Sequence, residues 1–289
     1  MNISSSESQA DSAPIAVAEE ADMSGDAVAS LGDLRRLCQS SDVSNEGVGT
    51  VLNDFCPSGL SERVLVLSDL YNNNHASDEI LQYATEFITR GEDEAISLLI
   101  GQACYDDESD IVLFLIDNFP SAVEYVLDCH DEGEEVKVPM LFVILFVISA
   151  PNDVALLVLN KLLDERLEFV RDARVQPTGD TLLHWAAIIN TDISAEVCRT
   201  LLQNLPELLS VQNNEERRPF ESACFSGNLS AVECILDSNP EVVENDYRGL
   251  PVLFRFLCPP IDKNVAFFVL NELLEKRPEI LDRPESAVS

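Results

Sequence analysis

The chain has 289 residues, 46% of them hydrophobic, enough to bury a large core as one elongated repeat domain or two compact ones. Its 52 acidic residues against 18 basic ones give a formal charge of −34. That charge disfavours nucleic acid and anionic membrane as direct partners, and it fits either a basic partner or a merely solvated acidic surface.

Glycine is scarce for this length and Val/Ile/Thr alternation is absent, so helices are expected rather than sheet. Residues 1–30 are rich in Ser, Ala, Asp and Glu and hold no Lys or Arg. A disordered acidic tail is expected there, since such a composition buries too little surface to order itself. It is unlike an Arg-rich transit peptide, and Ser4-Ser5-Ser6-Glu7-Ser8 offers hydroxyls for phosphorylation. Residues 31–97 are predicted to be helical, as an N-terminal cap or as degenerate repeats. Leu34, Leu37, Val51, Leu52 and Phe55 have helical spacing, and Leu65, Leu67 and Leu70 precede a loop at Tyr71–His75. Ile80, Leu81, Ala84, Phe87 and Ile88 form a second amphipathic stripe.

From residue 98 the chain repeats itself. Residues 98–123 align without a gap to 218–243, placing Ala103-Cys104 on Ala223-Cys224, Val112 on Val232 and Pro120 on Pro240. Another unit runs from Val138-Pro139-Met140-Leu141 to Leu167-Glu168-Phe169-Val170. Its run Met140–Ala150 is almost wholly apolar, but a membrane span needs about twenty residues, and a helix sandwiched between neighbours is apolar nearly all round. Further on, Leu229, Val232, Ile235 and Leu236 fall on one helical stripe. The last unit begins at Pro251-Val252-Leu253-Phe254, carries a stripe of Phe267, Leu270, Leu273 and Leu274, and ends at Pro278-Glu279-Ile280-Leu281. The polar segment 282–289 is expected to be a loose tail.

The clearest unit reads Thr181-Leu182-Leu183-His184-Trp185-Ala186-Ala187, and the next reads Arg218-Pro219-Phe220-Glu221-Ser222-Ala223-Cys224 followed by Ser226-Gly227-Asn228-Leu229. Each closes on a proline: Pro206-Glu207-Leu208-Leu209, then Pro240-Glu241-Val242-Val243. This pattern resembles the ankyrin repeat, whose helix-opening motif is T-P-L-H-x-A-A, with Leu182 in the proline place and Glu216 where a turn glycine is usual. Thr181 suits an N-cap and Pro219 a first helical turn. The resemblance implies an all-α fold: a helical repeat solenoid of ankyrin-like helix–loop–helix units with short or degenerate hairpins over residues 98–281. It also implies that His184 ties adjacent hairpins by hydrogen bonds.

Catalytic and cofactor motifs are absent: no G-x-x-x-x-G-K-[ST], G-x-G-x-x-G or G-x-S-x-G occurs. The segment Asp128–Glu135 begins like a calcium loop, but His130 and Pro139 occupy ligand places, so a solvated acidic loop at a hairpin tip is expected. Cys129 and His130 alone lack the ligands for zinc. The eight cysteines form no C-x-x-C pair, and no secretory signal is seen. Reduced thiols in an intracellular protein, cytoplasmic or nuclear, are therefore expected.

These readings converge on a non-enzymatic module that binds another protein, with no catalytic residue, cofactor or metal. Two alternatives stay open: a structural helical array without an ankyrin-type binding surface, favoured if hairpin geometry is missing between Val123 and Val138, and an enzyme with its site in residues 31–97. The candidate contact residues are Arg174, Arg217, Arg218 and Arg248, in or beside the expected hairpins, with Tyr247 and Trp185. Arginine offers planar bidentate donors and is enriched at interfaces. The competing role for these arginines is to neutralise Glu215, Glu216 and Asp246.

Overall fold

The computed structural model describes residues 44–55, 59–72, 77–131, 134–244, 246–247, 250–251 and 263–276. The expected tails 1–30 and 282–289, Leu34, Leu37, His75, Arg248 and the helix expected from Val252 lie outside them. What is described is mostly helical, with small antiparallel pairs of strands.

Five helices come first: α1 (Asn45–Phe55), α2 (Leu60–Tyr71), α3 (Asp78–Thr89), α4 (Asp93–Tyr105) and α5 (Ser109–Asn118). The single turn α6 (Pro120–Val123) follows, started by a proline whose missing N–H has no partner to lose there. A hairpin of β1 (Val126–Asp131) and β2 (Glu134–Pro139) then leads into α7 (Met140–Phe146), α8 (Asn152–Glu165) and α9 (Leu167–Asp172). The short pair β3 (Arg174–Val175) and β4 (Asp180–Thr181) opens α10 (Leu182–Ile188) and α11 (Ser194–Asn204), closed by the 3-10 turn Pro206–Ser210. Next come α12 (Pro219–Ser226), α13 (Leu229–Ser238) and the 3-10 turn Pro240–Glu244. The pair β5 (Asp246–Tyr247) and β6 (Leu250–Pro251) precedes α14 (Lys263–Lys276).

The helices pack in two files. In one, α4 lies against α7, α7 against α10 and α10 against α12. In the other, α5 lies against α8, α8 against α11, α11 against α13 and α13 against α14. Small side chains allow the approach: Ala186, Ala187 and Ala223 are all fully buried. A Cβ on Gly101 of α4 would stand 2.6 Å from the Met140 Cε and 2.7 Å from the Ile148 Cδ1, so glycine lets α4 sit close to α7. From Met140 to Leu145 every residue of α7 is buried, and among the described residues no helix is long and apolar enough to cross a membrane.

The ungapped alignment of 98–123 with 218–243 has a backbone counterpart. The Glu108 N–H donates to the Ala103 carbonyl at 3.0 Å, and the Asn228 N–H to the Ala223 carbonyl at 3.1 Å. The turn residue is left-handed in both, Asp107 at φ 61° and Gly227 at φ 80°. The chain leaves each following helix alike, with Phe119 N–H on the Leu115 carbonyl and Asn239 N–H on the Ile235 carbonyl, both at 2.8 Å.

Several details differ from the sequence expectation. The boundary at residue 98 falls inside α4, which starts at Asp93. The β1–β2 hairpin is not short or degenerate: its arms have six residues each. The acidic segment 128–135 is therefore largely paired strand, because Leu127, Cys129, Val136 and Val138 alternate onto the core while Asp128, Glu135 and Lys137 face out. In α13, Leu229 is 37% exposed, while Val232, Ile235 and Leu236 are buried as expected. In α14, Phe267 is 67% exposed; Val265 and Val269, four apart on another face, enter the core instead.

Candidate partner-binding surface

His184 joins the α10 unit to the next. Thr181 caps α10, its Oγ1 accepting from the His184 N–H at 3.3 Å. The Thr181 N–H donates to His184 Nδ1 at 3.2 Å, so Nδ1 is the acceptor and the ring proton sits on Nε2. Nε2 then donates to the Arg217 carbonyl at 2.9 Å. Burial pushes the imidazole pKa below its ordinary value, helped by the Arg174 charge, although the Arg217 carbonyl and Asp180 act the other way. Buried Asp180 accepts from Asn213 Nδ2 at 2.7 Å, and Asn213 Oδ1 accepts from the Glu215 and Arg217 amides at 3.0 and 2.9 Å. These bonds shape residues 213–217 into a turn with Glu216 at φ 61°; no strand pair forms there among the described residues.

The structure gives each candidate contact residue a distinct place. Arg174 in β3 spends Nη1 on the carbonyls of Arg171 and Ala173, at 2.7 and 2.8 Å, and its partial burial lowers its pKa. Arg217 lies over the Phe225 ring, 4.1 Å from its centroid, and pairs with Glu215 at 2.8 Å. Arg218 is half-buried, with Nε and Nη1 enclosed and lacking a hydrogen-bond partner, and its backbone N–H donates to Glu221 Oε2 at 2.7 Å. Trp185 is half-buried, edge-on to Phe142 at 5.4 Å and tilted against Phe146 at 6.2 Å. Tyr247 sits in β5, and Arg248 lies outside the described residues. Arg217 reaches the Phe225 ring on α12, and Trp185 on α10 packs against Phe142 and Phe146 of α7.

The sequence reading passed over large apolar residues at the ends of four of these helices. The last residue of α4 is Tyr105, of α7 Phe146 and of α10 Ile188; Phe225 is last but one in α12. Tyr105, Ile188 and Phe225 are 47%, 40% and 45% exposed, Phe146 is half-buried, and Val147 beside it is exposed. The C-terminal ends of α10 and α12 are held side by side: Ser226 Oγ donates to the Ala187 carbonyl at 3.1 Å, and Asn228 Nδ2 to the Ile189 carbonyl at 3.0 Å. The sequence did carry a trace of this, because Tyr105, Ile188 and Phe225 each follow the small pair Ala103-Cys104, Ala186-Ala187 or Ala223-Cys224.

Among the described residues no three His, Cys, Asp or Glu side chains gather as a metal site. The cysteines on the helices serve packing: burial pushes the Cys104 thiol up to about 12 and raises those of Cys198, Cys224 and Cys234. No family model matches this chain, and no curated protein is similar to it.

Proposed function

We propose that this chain is a divergent ankyrin-type repeat solenoid and works as a non-enzymatic module that binds another protein. The observation that carries the proposal is the series Tyr105, Phe146, Ile188 and Phe225, one large apolar residue at the end of each of four helices packed in series. Tyr105, Ile188 and Phe225 stay exposed with Phe146 half-buried between them in the series, and folding gains nothing from leaving such side chains in water, whereas apolar exposure serves an interaction surface. The His184 tie, the shared turn geometry of 103–108 and 223–228, and the hairpin between Val123 and Val138 all support the ankyrin-type reading over an array without hairpins. Arg217, held flat on Phe225, extends the surface with a cation. The same reading places the protein inside the cell, cytoplasmic or nuclear, in keeping with the free thiols of Cys104, Cys129, Cys198, Cys224 and Cys234.

The test is affinity capture from lysate with the wild-type chain, the double variant Ile188→Ser/Phe225→Ser, and Phe267→Ser as a more exposed control outside the series. Proteins captured by the wild type and by Phe267→Ser should be lost with the double variant, whose thermal midpoint should stay within a few degrees because both side chains are already exposed. Identical capture by all three chains would overturn the proposal.

A further inference from the structure

The β1–β2 hairpin is open along one edge. Lys137 uses both backbone groups on the far side of β2, its N–H donating to the Gln176 carbonyl and its carbonyl accepting from the Gln176 N–H, each at 2.9 Å. Lys137 stands opposite Asp128, so that pair exchanges no ladder bonds, and the N–H and C=O of Asp128 point away from β2. By the two-residue period, those of Val126 and His130 point the same way. No described residue pairs with them. The later hairpin β3–β4 is covered on one side by β2, but the link from α3 to α4 is only Arg90-Gly91-Glu92, too short to lay a hairpin beside β1. The strand thus offers three outward pairs of donors and acceptors on an arm backed by the core through Leu127 and Cys129.

We propose that this edge takes up an extended basic segment of a partner protein as an added antiparallel strand. A free strand edge is a template for pairing, and main-chain bonds would supply affinity while alternate side chains select the sequence. Charge chooses the occupant. Along the solvent face of the hairpin the carboxylates of Asp128 and Glu135 share one cation, Lys137, at 3.6 and 3.2 Å. At the foot of the hairpin the Tyr125 phenol has its pKa raised, by partial burial first and then by Glu94 and Asp128. The sequence adds Asp131, Glu132 and Glu134 at the tip. A second copy pairing antiparallel through the same edge would bring Asp128 toward its own duplicate in a chain of charge −34. A partner strand with Lys or Arg on the face shared with Asp128, and aliphatic residues on the face shared with Leu127, meets both requirements. This surface is separate from the apolar series on α4, α7, α10 and α12, and the inference does not rest on that reading.

The test uses a labelled short peptide of alternating lysine and valine, titrated with the whole chain by fluorescence anisotropy. In an antiparallel ladder the lysine opposite Asp128 turns its N–H toward β1. N-methylation of the lysine amides is therefore expected to weaken binding by about tenfold or more, and N-methylation of the valine amides to leave it within about twofold. On the protein, Asp128→Pro removes an outward N–H that β2 does not use. It should reproduce the loss while Asp128→Asn, which keeps the N–H, weakens binding only modestly; the thermal midpoints report that both remain folded. Equal affinity of the two methylated peptides would overturn the proposal, leaving charge attraction alone. So would concentration-dependent self-association that Asp128→Pro abolishes, since the edge would then belong to a second copy.

Discussion

Replacing His184 by alanine tests the joint between the α10 and α12 units. The imidazole is fully buried; Nδ1 accepts from the Thr181 N–H and lies 2.8 Å from the Thr181 Oγ1, and Nε2–H donates to the Arg217 carbonyl, so two backbone groups depend on its bonds. Each contributes about 1 kcal/mol net, and each leaves behind a buried backbone group whose desolvation costs about 1–3 kcal/mol if no water reaches it. His184→Ala should therefore destabilise the fold by about 2–4 kcal/mol, read as a lower urea midpoint at unchanged slope. The same residue sets a pH dependence. Its folded pKa is lowered, chiefly by burial, so the unfolded chain binds the proton first as pH falls. Stability from this group is complete above the unfolded value of about 6.5 and declines below it, by up to about 1.4 kcal/mol per pH unit, until the folded pKa is reached. Comparing wild type with the variant isolates the contribution of His184. A destabilisation below about 1 kcal/mol, or a difference that grows as pH falls from 7.5 to 5.5, would refute the reasoning.

Two further substitutions probe the packing and the turns. Ala187 is fully buried where α10 meets α12, so Ala187→Phe should cost about 1–3 kcal/mol by overpacking, and an unchanged urea midpoint would remove Ala187 from that contact. Asp107 holds the left-handed place that glycine fills in the equivalent turn at Gly227, so Asp107→Gly should stabilise by about 0.5–1 kcal/mol in the same assay; a loss would mean that the Asp107 side chain contributes more than its backbone strain costs.

The sequence showed most plainly what repeats at fixed spacing. Alanines at helix crossings, the threonine and histidine of one cap, and the prolines that start the turns at Pro120, Pro206 and Pro240 all have one geometry that suits them, so each could be placed before any coordinate was known. Single-residue register was harder. Val265 and Val269, not Phe267, face the core of α14, because two stripes four apart compete on that helix and only the neighbouring helix decides between them. The β1–β2 hairpin was hidden by its charge. Asp128, Asp131, Glu134 and Glu135 read as loop, although Val136-Lys137-Val138 carries the two-residue period of a half-buried strand. The arginines were legible as a cluster near the turns but not as to their duties, since a guanidinium that closes backbone carbonyls looks the same in sequence as one awaiting a ligand.

Those duties change what the exterior has to offer. Lys161 is held between Asp117 and Glu165, Arg166 pairs with Glu124, Arg171 with Glu168 and Asp172, Lys137 with Asp128 and Glu135, and Arg217 with Glu215. Exposed pairs of this kind add little stability, about 0–1 kcal/mol each, but they do use up the cations. The chain carries nearly three carboxylates for each basic residue, so its net field is strongly negative. A binding surface built on this background has two means of selection: apolar side chains that need no charge, as at Tyr105, Ile188 and Phe225, and a negative field that draws in cationic segments and repels a second copy. The field acts over about a Debye length and weakens with salt, whereas apolar contact does not. The helical face and the strand edge therefore answer to different physical variables, and a partner that engages both would be chosen by shape at one and by charge at the other.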